Sequence, residues 1–394
     1  MKKSSLILGL VFLTSTFQLI AQNSSSSKSE SIVYTIGYNK VPDKCKIPLI
    51  GIINVAKGNY TGLQIGFANT TASNFNGLGI GFANTIGSNK TGALIGFFNT
   101  IGSSSKGLDV GFFNTIGDSG SGIGVGFFNT FGNSFHGIQT GFFNTLGNST
   151  NGAQIGFFNT LGNSMHGLQV GFFNTLGKEA EGIQVGFSNI LGGSMKGIQI
   201  GFSNINSKEA KGIQLGFFNR TPELSGVAIG FLNVLDSVKT GVPIGFLSFI
   251  KRGDYQVLEI GTNEMFPVNI AYKTGIKQFY TSLLLSYSPI SHNHYAIGMG
   301  IGTFVPLSNK LSFNPELLSQ TTCTVSWDQI YSLHLNFDYK LSDKLSIAAG
   351  PTVVWNHLQN GTVLHKPVFA IYQNELDANN KLLVGLNAAL RYQF

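Results

Sequence analysis

Apolar and polar residues alternate with a period of two along most of the chain, and between residues 47 and 250 the alternation itself recurs every fifteen residues. One Gly anchors each unit, at positions 51, 66, 81 and onward by fifteens to 216, then at 230 and 245 after the loss of one residue. A typical unit runs Gly137-Ile138-Gln139-Thr140-Gly141-Phe142-Phe143-Asn144-Thr145-Leu146 and closes on a polar tail. A second Gly precedes the anchor by four, from Gly62 to Gly241. Phe follows the anchor, and Asn stands three residues after it, in nearly every unit. Alternation rich in β-branched and aromatic residues predicts strands, and the Gly-Asn-Ser tails predict turns.

Two architectures fit this pattern. One is a β-solenoid of about fourteen coils, equivalent residues stacking in parallel columns about 4.8 Å apart into a rod of roughly 65 Å. The other is an antiparallel meander with one strand per unit. Three features favour the solenoid. A meander repeats naturally over two units, whereas this repeat is one. The Asn shares the parity of the apolar residues before it, so a meander would turn thirteen amides toward lipid or an unpartnered core, each at a cost of several kcal/mol. The variable tails hold most of the charge, as one exposed edge of a stack would.

On the solenoid reading, Asn69, Asn84, Asn99, Asn114, Asn129, Asn144, Asn159 and Asn174 form a ladder that bonds to itself and to the bending backbone. Ile, Leu, Val and the first Phe of each unit fill the interior. The second Phe (Phe98, Phe113, Phe128, Phe143, Phe158 and Phe173) gives way to Ala or Ser in other units, which marks a partly exposed column and a candidate docking face. The Thr column, Thr70 to Thr175, raises ice or polysaccharide binding as a further reading.

After Ile250 the repeat fades into longer strands. In the last, Leu382, Val384, Leu386, Ala388, Leu390, Tyr392 and Phe394 share one face. Tyr331, Leu333, Leu335, Phe337 and Tyr339 behave alike, opposite Ser332, His334, Asn336 and Asp338. With 255–261, 266–274, 279–288, 294–304, 310–320 and 344–356, about eight strands are expected. Glu259 and the pair Pro315-Glu316 interrupt two of them and put the strand count in question.

Short turns on one side, longer loops on the other and an even strand number are the pattern of a bacterial outer-membrane barrel, and residues 255–394 resemble that family. The ending Tyr392-Gln393-Phe394 is similar to the signal by which such barrels are recognised by the barrel-assembly machinery. Residues 47–250 resemble poorly characterised surface-repeat proteins of Gram-negative bacteria, built on Gly-x-Gln-x-Gly-Phe-Phe-Asn units. That resemblance implies a cell-envelope location and no defined activity.

Composition agrees. Gly makes up 51 of 394 residues, nearly twice the usual share of about 7%. Charged residues make up 11%, where soluble domains carry about 25%. The N-terminus reads as a signal peptide over 1–21, with Lys2 and Lys3 ahead of an apolar run from Leu6 to Ile20. Residues 22–46 then form a linker and N-terminal cap, 47–250 the repeat region and 251–394 the barrel domain. A net charge of +7 without Lys/Arg clustering excludes a nucleic-acid footprint. Cys45 and Cys323 lie far apart in sequence. His136 with His166, and His292 with His294, are too sparse for a metal site, and no nucleophile–base set stands out. His334, with Asp338 or Glu316, is expected inside the barrel as a structural polar network.

The expected fold class is therefore all-β: a solenoid followed by an eight-stranded antiparallel barrel, with one barrel of about twenty-two strands as the alternative. The expected protein is a non-enzymatic envelope component without a cofactor, a spacer or binding surface anchored in outer-membrane lipid. Its protein or glycan ligand is unspecified. In the twenty-two-stranded alternative it is a channel or transporter.

Overall fold

The computed structural model describes residues 32–253, 255–289, 294–323, 327–358 and 367–394. The signal-peptide segment lies outside them. The described residues contain strands and turns and no helix. The chain divides into two compact units, the first ending at Gly186 and the second beginning at Phe187.

Both units contain parallel β-solenoid coils of fifteen residues, about fourteen in all. In the first unit each residue pairs with its equivalent one coil on. Gly137 lies beside Gly152 and Gln139 beside Gln154, while Phe143 lies beside Phe158 and Asn144 beside Asn159. In the second unit Gly197 pairs with Gly212 and Gln199 with Gln214. The stacking begins earlier than the repeat is legible: Tyr38–Val41 pairs in parallel with Ile53–Ala56, inside the stretch read as linker and cap. Staves of a large barrel would pair antiparallel, so the twenty-two-stranded alternative is excluded.

Each coil bends twice. One bend falls at the variable tail. The other falls at the anchor Gly and the Phe after it, and from Gly126 to Phe217 it splits the coil into a six- or seven-residue strand and a second strand after the bend. The Gly four residues before the anchor adopts φ between +113° and +154° from Gly62 to Gly212 and again at Gly241. A Cβ at Gly137 would also collide with the carbonyl oxygen of Gly122 in the coil before it. Only Gly meets both demands.

The second unit holds the remaining coils and a closed antiparallel barrel. Its strands are Tyr255–Thr262, Val268–Ile276, Phe279–Ser288, His294–Gly302, Leu311–Thr322, Gln329–Lys340, Leu345–His357 and Asn380–Gln393. The first closes against the last, with Val257 opposite Gln393 and Thr262 opposite Ala388. Residues 277–278 and 341–344 make short turns at one end, and the chain enters and leaves the barrel at that same end.

The two suspected interruptions sit inside regular strands. Glu259 and Glu316 point inward. Pro315 lies beyond the last residue of the fifth strand that pairs with the fourth, Glu316 opposite Gly302, so its missing N–H costs that ladder nothing.

Gly137→Ala should destabilise the solenoid by about 1–3 kcal/mol, the cost of a forced backbone conformation. His136→Ala, beside it on the exposed surface, should stay within about 0.5 kcal/mol. Denaturant unfolding followed by circular dichroism separates the two, and equal costs would contradict the close-approach argument.

Candidate functional site

The interior of the coil is built from four columns. Two sit at the ends of the strands and are mostly apolar: Tyr60, Phe75, Phe135 and Met165 in one, Ile86, Ile116, Phe131 and Leu146 in the other, all nearly inaccessible. Burying such a side chain contributes about 1.5–3 kcal/mol. Volume is traded between neighbours. Gly120 leaves room that a Cβ would take from Phe131 and Phe135.

The other two interior columns are amides. Asn54, Asn69, Asn84, Asn99, Asn114, Asn129, Asn144, Asn159 and Asn174 are buried in the first unit. From Asn54 to Asn159 each amide donates to the side-chain oxygen of the Asn one coil on and to a backbone carbonyl of that coil. Asn144 Nδ2 meets Asn159 Oδ1 and the Ile155 carbonyl oxygen, at 2.9 and 3.0 Å. Asn189, Asn204, Asn219 and Asn233 repeat the arrangement in the second unit. A second ladder runs through Gln139, Gln154, Gln169 and Gln184, with amide-to-amide distances of 2.8 Å.

This corrects the expectation that Ile, Leu, Val and the first Phe fill the interior. The Gln of the alternating pattern faces in, and its apolar neighbours face out. Ile65, Ile95, Ile155, Ile200 and Leu215, each just before an anchor, are exposed. The first Phe is exposed from Phe67 to Phe172 in the first unit and from Phe187 to Phe231 in the second. The bend at the anchor is the reason. It takes up one step of the alternation, so Phe142 points out while Asn144, two residues on, points in. A column of amides can be buried cheaply because each amide finds a partner in the next coil.

The exposed Phe rings stack face to face. Phe112 and Phe127 have centroids 4.9 Å apart and nearly parallel planes. The candidate docking column Phe98, Phe113, Phe128, Phe143, Phe158 and Phe173 stacks alongside at 4.9–5.2 Å. Its rings meet the first column edge-on, as in Phe112–Phe113 at 4.9 Å and 67°. Phe98 and Phe173 are exposed and the four between them half-buried. The candidate column is therefore one half of a double ladder in which the first Phe is the more exposed partner. The Thr column, from Thr70 to Thr175, also faces outward.

One charged pair interrupts the inner columns. Lys90 Nζ lies 2.8 Å from Asp109 Oδ1, both fully enclosed. Lys90 also donates to the carbonyl oxygens of Gly92 and Leu108, and Ser105 donates to Asp109. Burial pulls the Lys90 ammonium below its usual range, with Asp109 opposing. Each residue stands where its column is otherwise uncharged up to the last coil.

The barrel interior is filled. Lys273 bonds to Glu259 at 2.6 Å and to Glu316. Arg391 reaches Glu259 at 2.5 Å, Asp338 at 2.9 Å and Glu316 at 3.3 Å. Tyr280, Asn314 and Asn336 complete the network around Glu316 and Arg391. Tyr255, Val257, Tyr280 and Phe304 close the short-turn end. Met265 and Phe266, with Ala296, Ile330, Val354 and Leu383, close the other. His334 is buried beside its cross-strand partner Glu316. The outer face is apolar, with Ile260, Ile270, Leu285, Met299, Leu317 and Trp355 all exposed. Tyr392 and Phe394 lie on that face, their rings edge-to-face at 5.6 Å.

The described residues contain no cluster of His, Cys, Asp and Glu able to hold a metal. His136 and His166 are exposed, and His166 pairs with Glu181 at 3.1 Å. His292 lies outside the described residues. Cys45 and Cys323 are unpaired. Against this geometry, no family model, curated protein or solved structure matches the chain.

Asn144→Ala removes the acceptor for Asn129 and the donor for Asn159. It should cost about 2–6 kcal/mol, at about 1–3 kcal/mol for each stranded partner. Asn148→Ala, in the tail of the same coil, should cost less than about 1 kcal/mol. Denaturant midpoints compare them, and parity between the two would contradict a structural role for the buried ladder.

Proposed function

We propose that this protein is a non-enzymatic component of the Gram-negative outer membrane. The C-terminal barrel anchors it in the bilayer, and the repeat coils present a binding surface. The observation that carries the reading is the barrel's polarity. Its core is a network of charged and polar side chains with apolar closures at both ends, and its wall is apolar outside. That is the arrangement a small lipid-embedded barrel requires. The basic-apolar N-terminus supports export through a cleaved signal peptide. The aromatic ending, Tyr392 and Phe394, supports delivery by the barrel-assembly machinery. Among the two roles open to the repeats, spacer and binding surface, the exposed Phe and Ile columns favour the second, because a spacer has no use for an apolar face. Transport is disfavoured. The repeats pair in parallel and add no staves, and eight staves around a filled core leave no channel.

Full-length protein refolded into phospholipid should migrate faster on a denaturing gel unheated than heated. It should give no conductance steps in a planar bilayer. Failure to partition into lipid would overturn the anchor, and reproducible steps would favour transport.

A further inference from the structure

The repeat coils have a second polarity, around their own circumference. Take the positions three and one before the anchor Gly and one and two after it. No Asp, Glu, Lys or Arg stands at any of these four in any coil, from Pro48 to Leu247. The exposed charges lie instead in the tails, on the residue five before the anchor, as at Lys106, Glu181, Lys196 and Lys211, and at Arg220 on the Thr column. One side of each coil is thus Ile, Leu, Val, Gly and Phe, and the opposite edge is polar. The first unit carries eight stacked rings on this side, Phe67 to Phe172, and the second carries five, Phe187 to Phe246. A water-soluble monomer rarely exposes a contiguous apolar patch of more than a few hundred Å².

Within the second unit this face runs into the barrel wall. The last coil packs on the outside of the second and third barrel strands. Thr274 donates to the Ser248 carbonyl oxygen, and Thr281 to that of Phe246 at 3.3 Å. Ile244 and Phe246, the last members of two of the outward columns, line an open groove of about 500 Å³. Its other wall includes Leu283, Met299, Leu317 and Tyr331, which face outward from the barrel. The outer belt of the barrel and the apolar columns of the coils therefore meet across a groove that no charged side chain lines. Whatever solvates one is at hand to solvate the other.

We propose that the apolar face of the repeat coils is itself lipid-facing, covered by the acyl chains of the bilayer that holds the barrel. The groove at Ile244 and Phe246 seats the chains that border both surfaces. The charged tails stay in water. This inference rests on the barrel being membrane-embedded, and it changes the role of the repeats. They lie in the apolar layer along one side, as an amphipathic interfacial element does.

The test is tryptophan quenching in vesicles of phosphatidylcholine brominated on its acyl chains, with full-length protein. Trp327→Phe leaves Trp355 on the outer barrel wall as the anchor reporter. In the Trp327→Phe, Trp355→Phe background, Phe142→Trp and Phe202→Trp report the apolar face in each unit, and Asn148→Trp reports the polar edge. Unheated-gel migration checks that each variant is folded, and the two face positions guard against loss of one. We expect roughly twofold quenching at Trp355, Phe142→Trp and Phe202→Trp, as for side chains at acyl-chain depth, and none at Asn148→Trp. Quenching at Trp355 without quenching at either face position overturns the inference and leaves the anchor standing. The same outcome with a dimer in solution assigns the face to a second copy and also overturns it. Absence of quenching at Trp355 overturns the anchor and the inference together.

Discussion

The two amide ladders of the repeat region depend on one constraint: the enclosed Asn and Gln of successive coils must stand at the same depth to bond to one another. Asn144 can be enclosed only because Asn129 and Asn159 stand at the same depth one coil away, and the same holds for Gln154 between Gln139 and Gln169. That requirement makes the fifteen-residue period strict. A residue gained or lost between the Gln and the Asn of one coil would shift its amides out of register and leave polar atoms stranded in the core. Where the period does slip, between Gly216 and Gly230, the slip falls in the tail, and Asn219 still reaches Asn233 at 3.0 Å.

The amides also decide which way the coil is turned. Two of the four inner columns are spent on Asn and Gln. The remaining large apolar residues cannot all fit in so narrow an interior, so they face out as stacked ladders. In the barrel the same exchange recurs: Glu259, Lys273, Glu316 and Arg391 occupy the inside, and Ile, Leu, Met and Trp the outside. Both domains enclose polar side chains and turn apolar ones outward, on one side for the coils and all round for the barrel. A shared apolar medium is the simplest environment that both surfaces satisfy, and this links the proposed anchor to the proposed lipid-facing coils.

Much of this was legible in the residues. The period, the parallel stacking, the Asn ladder and the eight strands follow from spacing and from the cost of unpartnered amides. Which side of the alternation faces in was not legible. Ile138-Gln139-Thr140 defines two faces without saying which is enclosed, and hydrophobicity alone chooses the wrong one. The bend at Gly141–Phe142, which resets the parity before Asn144, leaves no mark beyond the Gly itself. Lys90 and Asp109 are one coil and four residues apart, so the pair was findable as two charges in adjacent inner positions, once the inner columns were known. Glu259 and Glu316 read as flaws in strands because their partners, Lys273 and Arg391, lie 14 and 75 residues away.

The central claim is that the repeat encloses its amide columns and turns its Phe and Ile columns outward. Paired cysteine accessibility tests it most directly, with Cys45 and Cys323 replaced by Ser and a small neutral maleimide as probe. Gln154→Cys should stay unreactive until denaturant is added, and Phe157→Cys should react in the folded protein held in short-chain detergent, with no bilayer to cover the Phe column. Rapid labelling of Gln154→Cys together with protection of Phe157→Cys would contradict the account.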